Sequence, residues 1–234
     1  PSHAPTPGVY VYQHKVNNNH LIESVDDGFG KAFTVNYKSL AHNFNENNAL
    51  YTIDMGAMPD RRYSKVGSNM KVVQSVEQRN GVGGFNTTDY FYEDGIYHTQ
   101  GRGFQGFGAI IEKNRENGLT TRTEYEQAFP RSGMINRQET YRESDSRPIS
   151  LYEVLEFSDE WCTSLESGIY GPHAFSTRIK QYELRTGAQT SSSTSKNYYS
   201  CRGTKRNAHT DTTDAIQRQQ KLVVNTLTTG VNSF

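Results

Sequence analysis

Scarcity marks this chain before any motif does. Only two cysteines, Cys162 and Cys201, occur in 234 residues. That is too few for a disulfide framework, and neither has partners at metal-ligand spacing. They read as free thiols, with one disulfide in an oxidising compartment as the alternative. No apolar run approaches the roughly 18 residues of a membrane-spanning helix. Net charge is absent too, since 25 basic residues balance 25 acidic ones. A dedicated nucleic-acid binder normally shows a basic excess, so the balance argues against that class. The short pairs Arg61-Arg62 and Lys205-Arg206 read as solvated, with anion contact the alternative. The start, Pro1-Ser2-His3-Ala4-Pro5, has neither an initiator Met nor the apolar core of a signal peptide, which suggests a processed or excised piece.

Apolar residues are scarce as well: 33% of the chain, with a mean hydropathy of −0.80, low for a packed globule. Disorder does not follow. The 15 Tyr and 11 Phe are the opposite of the aromatic-poor, charge-excess signature of disordered chains. Thin sheets with a wet face, using Tyr and Thr as half-buried residues, give such figures.

Helical periodicity is almost missing. Ile149–Leu155 can be a short helix or a strand, and Asp214–Leu222 is a second short helix candidate. Hairpin signals recur instead, around Asp26-Asp27-Gly28, Asn80-Gly81, Asn117-Gly118 and Arg185-Thr186-Gly187. Asn-Gly and related pairs supply the positive φ of tight turns. Phe33, Val35 and Tyr37 alternate onto one face, as do Thr121, Thr123 and Tyr125, in the period of a strand. The Ser/Thr tract from Gln189 to Tyr199 reads as a solvated strand, with a linker as the alternative. Lys221–Leu227 reads as a further strand. Leu40 to Asn69, rich in Asn, Met and Pro, reads as a long loop. Ser158 to Pro172 carries the only Trp, Trp161, either a plug in a local apolar pocket or a partner-binding anchor.

The expected fold is all-β: successive long antiparallel hairpins adding laterally into one extended, curved sheet, with few or short helices. Its divisions are an N-terminal extension or strand over 1–19, a hairpin region over 20–145, an irregular insertion over 146–172 and further hairpins over 173–234.

Gly101-Arg102-Gly103-Phe104-Gln105-Gly106-Phe107 matches G-x-G-x-x-G, the dinucleotide fingerprint. That motif needs a helix behind it to hold the pyrophosphate. Here Gly108–Tyr125 reads as a hairpin turning at Asn117-Gly118, so no cofactor is expected. The glycines read as a sharp positive-φ bend between sheet units, pinned to the apolar face by Phe104 and Phe107. Arg102 is expected to pair with a carboxylate or to cap backbone carbonyls.

This block, followed by Gly118–Tyr125 and Phe129-Pro130-Arg131-Ser132-Gly133, resembles the G-R-G-F-x-G-F … G-x-x-T-x-T-x-Y … F-P-x-x-G order of B-type subunits of bacterial insecticidal toxin complexes, and of the related SpvB-like and Rhs/YD-repeat proteins. Leu21–Tyr37 and Val72–Tyr92 resemble the family's strand–glycine turn–strand units. The resemblance covers about residues 20–140. It implies a sheet that spirals into a hollow shell, with Gly101, Arg102, Gly103, Phe104, Gly106, Phe107, Gly118, Tyr125, Phe129 and Pro130 as structural motif residues. It also implies a secreted, extracellular bacterial protein that encloses and helps deliver a toxic cargo domain without itself being an enzyme. The partners would be the C-type subunit or Rhs repeats, the cargo, and a pore-forming A-type subunit. The ADP-ribosyltransferase and aspartyl self-cleavage sites of such proteins belong to other regions and are not carried over.

No catalytic or metal site is read from the residues. The histidines His3, His14, His20, His42, His98, His173 and His209 are scattered and read as surface or loop residues, with metal ligation the alternative. The carboxylate pairs Asp26-Asp27, Glu93-Asp94 and Asp159-Glu160 flank turns, and neighbours on a strand face opposite ways. A calcium site from loop oxygens is their other use. Two rival functions stand beside the shell: a secreted adhesion or carbohydrate-binding module stacking aromatic rows on sugars, and a hydrolase using loop carboxylates such as Asp94 or Asp159.

Overall fold

Tyr, Thr and Val at alternating positions favour extended backbone. The computed structural model describes residues 21–26, 28, 32–41, 49–54, 56, 58–159 and 171–199, together with the backbone of 205–214 and 220–225. It is all β, with no helix among the described residues. In chain order come β1 (Ser24–Asp26), β2 (Ala32–Ser39), β3 (Tyr51–Thr52), β4 (Tyr63–Lys65) and β5 (Lys71–Arg79). Then follow β6 (Phe85–Glu93), β7 (Ile96–His98), β8 (Gly103–Phe104), β9 (Ala109–Asn114) and β10 (Leu119–Tyr125). After them come β11 (Ile135–Arg142), β12 (Arg147–Ser158), β13 (His173–Tyr182), β14 (Gln189–Tyr199), β15 (Lys205–Asp214) and β16 (Gln220–Asn225).

The large sheet runs β1-β2-β5-β6-β9-β10-β11-β12-β13-β14-β15-β16, each strand antiparallel to its neighbour. Turn chemistry fixes the hairpins. Asn80 Oδ1 accepts the Val82 and Gly84 amides at 3.0 and 2.9 Å. Asn114 Oδ1 accepts those of Glu116 and Asn117 at 3.1 and 3.0 Å. The β9–β10 connection is wider than an Asn-Gly two-residue turn: Asn114 pairs with Leu119, so 115–118 form the loop and only its last residue, Gly118, takes positive φ, 66°.

Twice the chain leaves the sheet, after β2 and after β6. The two departures find each other: β4, β7 and β8 form a small antiparallel sheet. β3 lies parallel to the end of β6, Tyr51 opposite Tyr92. The stretch expected as a long loop from Leu40 to Asn69 therefore carries two strands and a buried anchor, Leu40, 1% exposed. These segments cover one face of β5, β6 and β9. There Leu40, Leu50, Tyr51, Val72, Tyr92 and Phe107 form the hydrophobic core, flanked by Ile53, Val66, Met70, Tyr90 and Ile110.

From β10 to β14 no second layer covers the sheet among the described residues, and its two faces differ in chemistry. One carries the cross-strand rows Thr123–Gln138–Tyr152–Ile179–Ser193 and Thr121–Thr140–Ser150–Gln181–Ser191, without a charge. Gln138 donates to Thr123 Oγ1 at 3.0 Å, and the Thr121 and Thr140 hydroxyls meet at 3.1 Å. The other face is a run of ion pairs: Arg122 with Glu93 and Glu124, Arg137 with Glu139, and Arg178 and Lys180 with Glu153. Neither face is a continuous apolar surface, which explains the low hydrophobic content.

Other expectations need correction. Residues 147–158, inside the expected irregular insertion, form the 12-residue strand β12, which also settles Ile149–Leu155 as extended. Asp214 ends β15 and Gln220–Leu222 begin β16, so both ends of the second helix candidate are strand. The Phe33–Val35–Tyr37 alternation is interrupted by a register shift between Asn36 and Tyr37. The 1–19 extension, Trp161, Cys162 and Cys201 lie outside the described residues.

Candidate functional site

Gly101–Phe107 carries the chain from the small sheet back into the large one. Gly101, Gly103 and Gly106 adopt φ of 98°, 74° and 93°, the left-handed region where a side chain strains the backbone. No close neighbour would crowd a Cβ at these three positions, so conformation, not space, calls for glycine there. Space decides at two glycines that the sequence did not single out. A Cβ on Gly95 would lie 3.0 Å from the Tyr51 hydroxyl and 3.2 Å from the Phe107 ring. On Gly108 it would lie 3.0 Å from Asp94 Cβ. Gly108 directly continues the motif, a signal that was there to use.

The bend is clamped by rings. Phe107 is buried and meets Tyr92, Phe104 and Tyr51 at centroid distances of 4.6, 5.3 and 5.9 Å, in tilted and edge-on geometries that favour aromatic pairs. Phe104 shares the outer side of the small sheet with its cross-strand partner Tyr97 and is 42% exposed. Tyr51 is fully buried. Its hydroxyl accepts the Gly95 amide at 3.0 Å and donates to the Gly95 carbonyl. Burial pushes the Tyr51 phenol up from 10.0 to about 12 and pushes that of Tyr92 up as well.

The loop between β10 and β11 closes the other side. Gln127 Nε2 donates to the Asp94 carbonyl at 2.7 Å and to that of Gly106 at 3.0 Å. The Ser132 hydroxyl donates to the Gln105 carbonyl, and the Phe129 amide to the Tyr63 hydroxyl. Arg102 lies with its guanidinium carbon 3.5 Å from the Phe129 ring centroid. It is thus held by cation–π stacking, where an ion pair or carbonyl cap was expected. Phe129 is joined to Pro130 by a cis peptide, and Tyr125 donates its amide to the Gly108 carbonyl. The corner so gathers Gly101, Arg102, Gly103, Phe104, Gly106, Phe107, Tyr125, Phe129 and Pro130. Gly118 sits at the opposite end of β10.

Charged groups here are engaged in holding shape. Asp94, at φ 54°, accepts the Asp54 amide at 2.7 Å and the largely buried Lys65 ammonium at 2.9 Å. Glu93 pairs with Arg122 at 2.8 Å. Arg131 grips Asp159 at 2.6 and 2.7 Å while lying over the Phe157 ring, and its side-chain hydrogen bonds hold the Asp159 carboxyl below the usual 3.8. His98, expected as a surface histidine, is buried against Tyr63 at 4.9 Å, and its Nδ1 accepts the Gln100 amide. No group of three or more His, Cys, Asp or Glu residues placed to hold a metal occurs among the described residues. The dinucleotide reading fails on geometry, because strand β9, not a helix, follows the glycines. Two grooves, about 490 Å³ across β2 and β5 and about 340 Å³ beside Arg79 and Phe85, lie on the sheet away from this corner.

Comparison with known proteins agrees with this geometry. The model of the insecticide toxin TcdB middle/N-terminal region matches residues 2–133. No curated protein sequence matches the chain. Among solved structures, a TcdB2–TccC3–Cdc42 crystal structure is similar at TM-score 0.54 and 14% identity over 87% of this chain. A Photorhabdus luminescens Tc holotoxin pore is similar at TM-score 0.56 and 14% identity over 89%. The chain spans 12% of the length of each, and at that identity the likeness is one of fold.

Proposed function

Because this chain belongs to the insecticide toxin TcdB middle/N-terminal family, we propose that it is a non-enzymatic wall segment of a bacterial toxin-complex shell, enclosing and helping to deliver a toxic cargo domain. The observation that carries this reading is the architecture itself. Consecutive antiparallel hairpins extend one sheet sideways, and among the described residues the packed corner is the place where the chain folds back upon it. A hydrogen-bonded sheet satisfies its backbone strand by strand and can be prolonged by further strands at either edge, as a closed wall requires. Its partners are the C-type or Rhs-like half of the shell, the cargo and a pore-forming A-type subunit. Its kinship to SpvB-like and Rhs/YD-repeat shells and its secreted, virulence-associated location belong to the same proposal.

The rival readings have less to stand on. Asp94 and Asp159, which a hydrolase would need free, are each bound to a basic side chain. Phe129, a candidate sugar platform, has Arg102 stacked on its ring. The test is to co-express the full-length chain containing this segment with its C-type partner and cargo, then digest with protease. The proposal expects closed particles by electron microscopy and cargo resistant to digestion. Cargo cleaved as quickly as when free, or specific retention on a glycan array by an unassembled chain, would overturn it.

A further inference from the structure

The bare part of the sheet is chemically two-faced from β10 to β13, and the division follows from the period of two. Neighbouring residues on β13 sort cleanly, Ile179 to the uncharged face and Lys180 to the ion-paired face; on β14 register carries Ser193 and Ser192 to the corresponding sides, although both are uncharged. Nothing in backbone pairing requires this sorting, since Ser, Thr and Gln serve equally well on either side of a ladder. Composition has been partitioned face by face.

We infer that the uncharged face, marked by Thr123, Gln138, Tyr152, Ile179 and Ser193, is the inner surface that an unfolded cargo polypeptide touches, and that the ion-paired face is the outside. This rests on the shell reading proposed above. An unfolded chain displays carboxylates, ammonium groups and guanidinium groups together. Against the Glu153–Arg178–Lys180 face it could exchange ion-pair partners with the wall, because those side chains stay 22–35% exposed even though the paired atoms Glu153 Oε1 and Arg178 Nε are buried. Held by many such exchanges, it would be slow to leave. Hydroxyls and amides such as Thr121–Thr140 and Gln138–Thr123 are already satisfied by one another, and they offer the cargo hydrogen bonds little better than those of water. A wall that must contain a chain and later release it is served by the second surface. The outward side needs hydrated charge to keep a large particle soluble, which the ion-paired face supplies.

The test uses the full-length protein assembled with its C-type partner and cargo, with native cysteines replaced by serine. Single variants Ser193→Cys and Ser192→Cys are exposed to a polymer-linked maleimide too large to cross the wall. A photo-crosslinking residue is placed in turn at Ile179 and Lys180. The expected result is labelling of Ser192→Cys in intact particles, labelling of Ser193→Cys only after the particle is opened, and a cargo adduct from position 179 but not 180. The reverse pattern, with the particle still closed and the cargo protected, overturns the face assignment and leaves the shell intact. Equal labelling of both cysteines with no cargo adduct from either site, and cargo open to protease, removes the shell reading along with it.

Discussion

At the corner, Leu40, Tyr51 and Ile96 are each no more than 1% exposed, whereas on β13 Ile179 is 46% exposed although it sits mid-strand in the same sheet. The corner is held as ordinary domains are, by removing apolar surface from water under a second layer. The ladder from β10 onward has hydrogen-bonded neighbours and cross-strand pairs, each a small term, and little covered apolar area beyond Leu151, 6% exposed. Stability in such a ladder is local and additive, as in repeat arrays where each unit meets only the next. One chain therefore combines a corner packed under a second layer with a ladder held chiefly by its neighbouring strands.

The comparison is broken most directly by emptying the corner. Phe107→Ala removes a ring packed on Tyr92, Phe104 and Tyr51 and should cost about 3–5 kcal/mol. Ile179→Ala, on the open ladder, should cost less than about 1 kcal/mol. Urea unfolding midpoints measure both, and equal losses would show that the two regions are not held differently. Next in size, Gly106→Ala at φ 93° should destabilise the corner by about 1–3 kcal/mol, while the same change at Gly67, which has open space and no positive φ, should leave the melting temperature within a degree or two of the parent.

Tyr51→Phe strips the Gly95 amide of its buried acceptor and should cost about 1–3 kcal/mol. Its pH signature is separable. The Tyr51 phenol is raised from 10.0 to about 12 in the folded state. From about pH 10 to about 12 the folded protein therefore keeps a proton that the unfolded chain gives up. Its contribution is complete below pH 10 and is lost as pH climbs through that window. Alkaline unfolding monitored by tyrosine absorbance should begin later for Tyr51→Phe relative to its own neutral-pH stability. The smallest effect belongs to the ladder: Arg178→Gln, at an ion pair 22–35% exposed, should cost under about 1 kcal/mol and should disappear at high salt.

How much could be read beforehand divides along the same line. The hairpins were legible, because Asn80-Gly81, Asn117-Gly118 and Arg185-Thr186-Gly187 lie between strands that are neighbours in sequence. The corner was legible only as a kink. Its strands are two or three residues long and find partners far along the chain, Tyr51 beside Tyr92 and Tyr63 beside His98, so no local alternation announces them. Asn, Met and Pro between them look like loop, although Leu40 and Leu50 bracket the stretch with buried anchors. Arg102 was misread for a related reason. A guanidinium suggests a carboxylate, yet the ring it stacks on arrives from Phe129, and only the closed β10–β11 loop brings it there.

Backbone amide hydrogen exchange, followed on the isolated 234-residue chain and on the full-length protein assembled with its C-type partner, tests the wall most directly. The account predicts that amides of β6 and β9 at the corner are protected in both, while those of β13 and β14 exchange quickly in isolation and become protected in the particle. Equal protection of β13 and β14 in the two samples would contradict it, because the ladder would then be a domain in its own right and not a wall sustained by its neighbours.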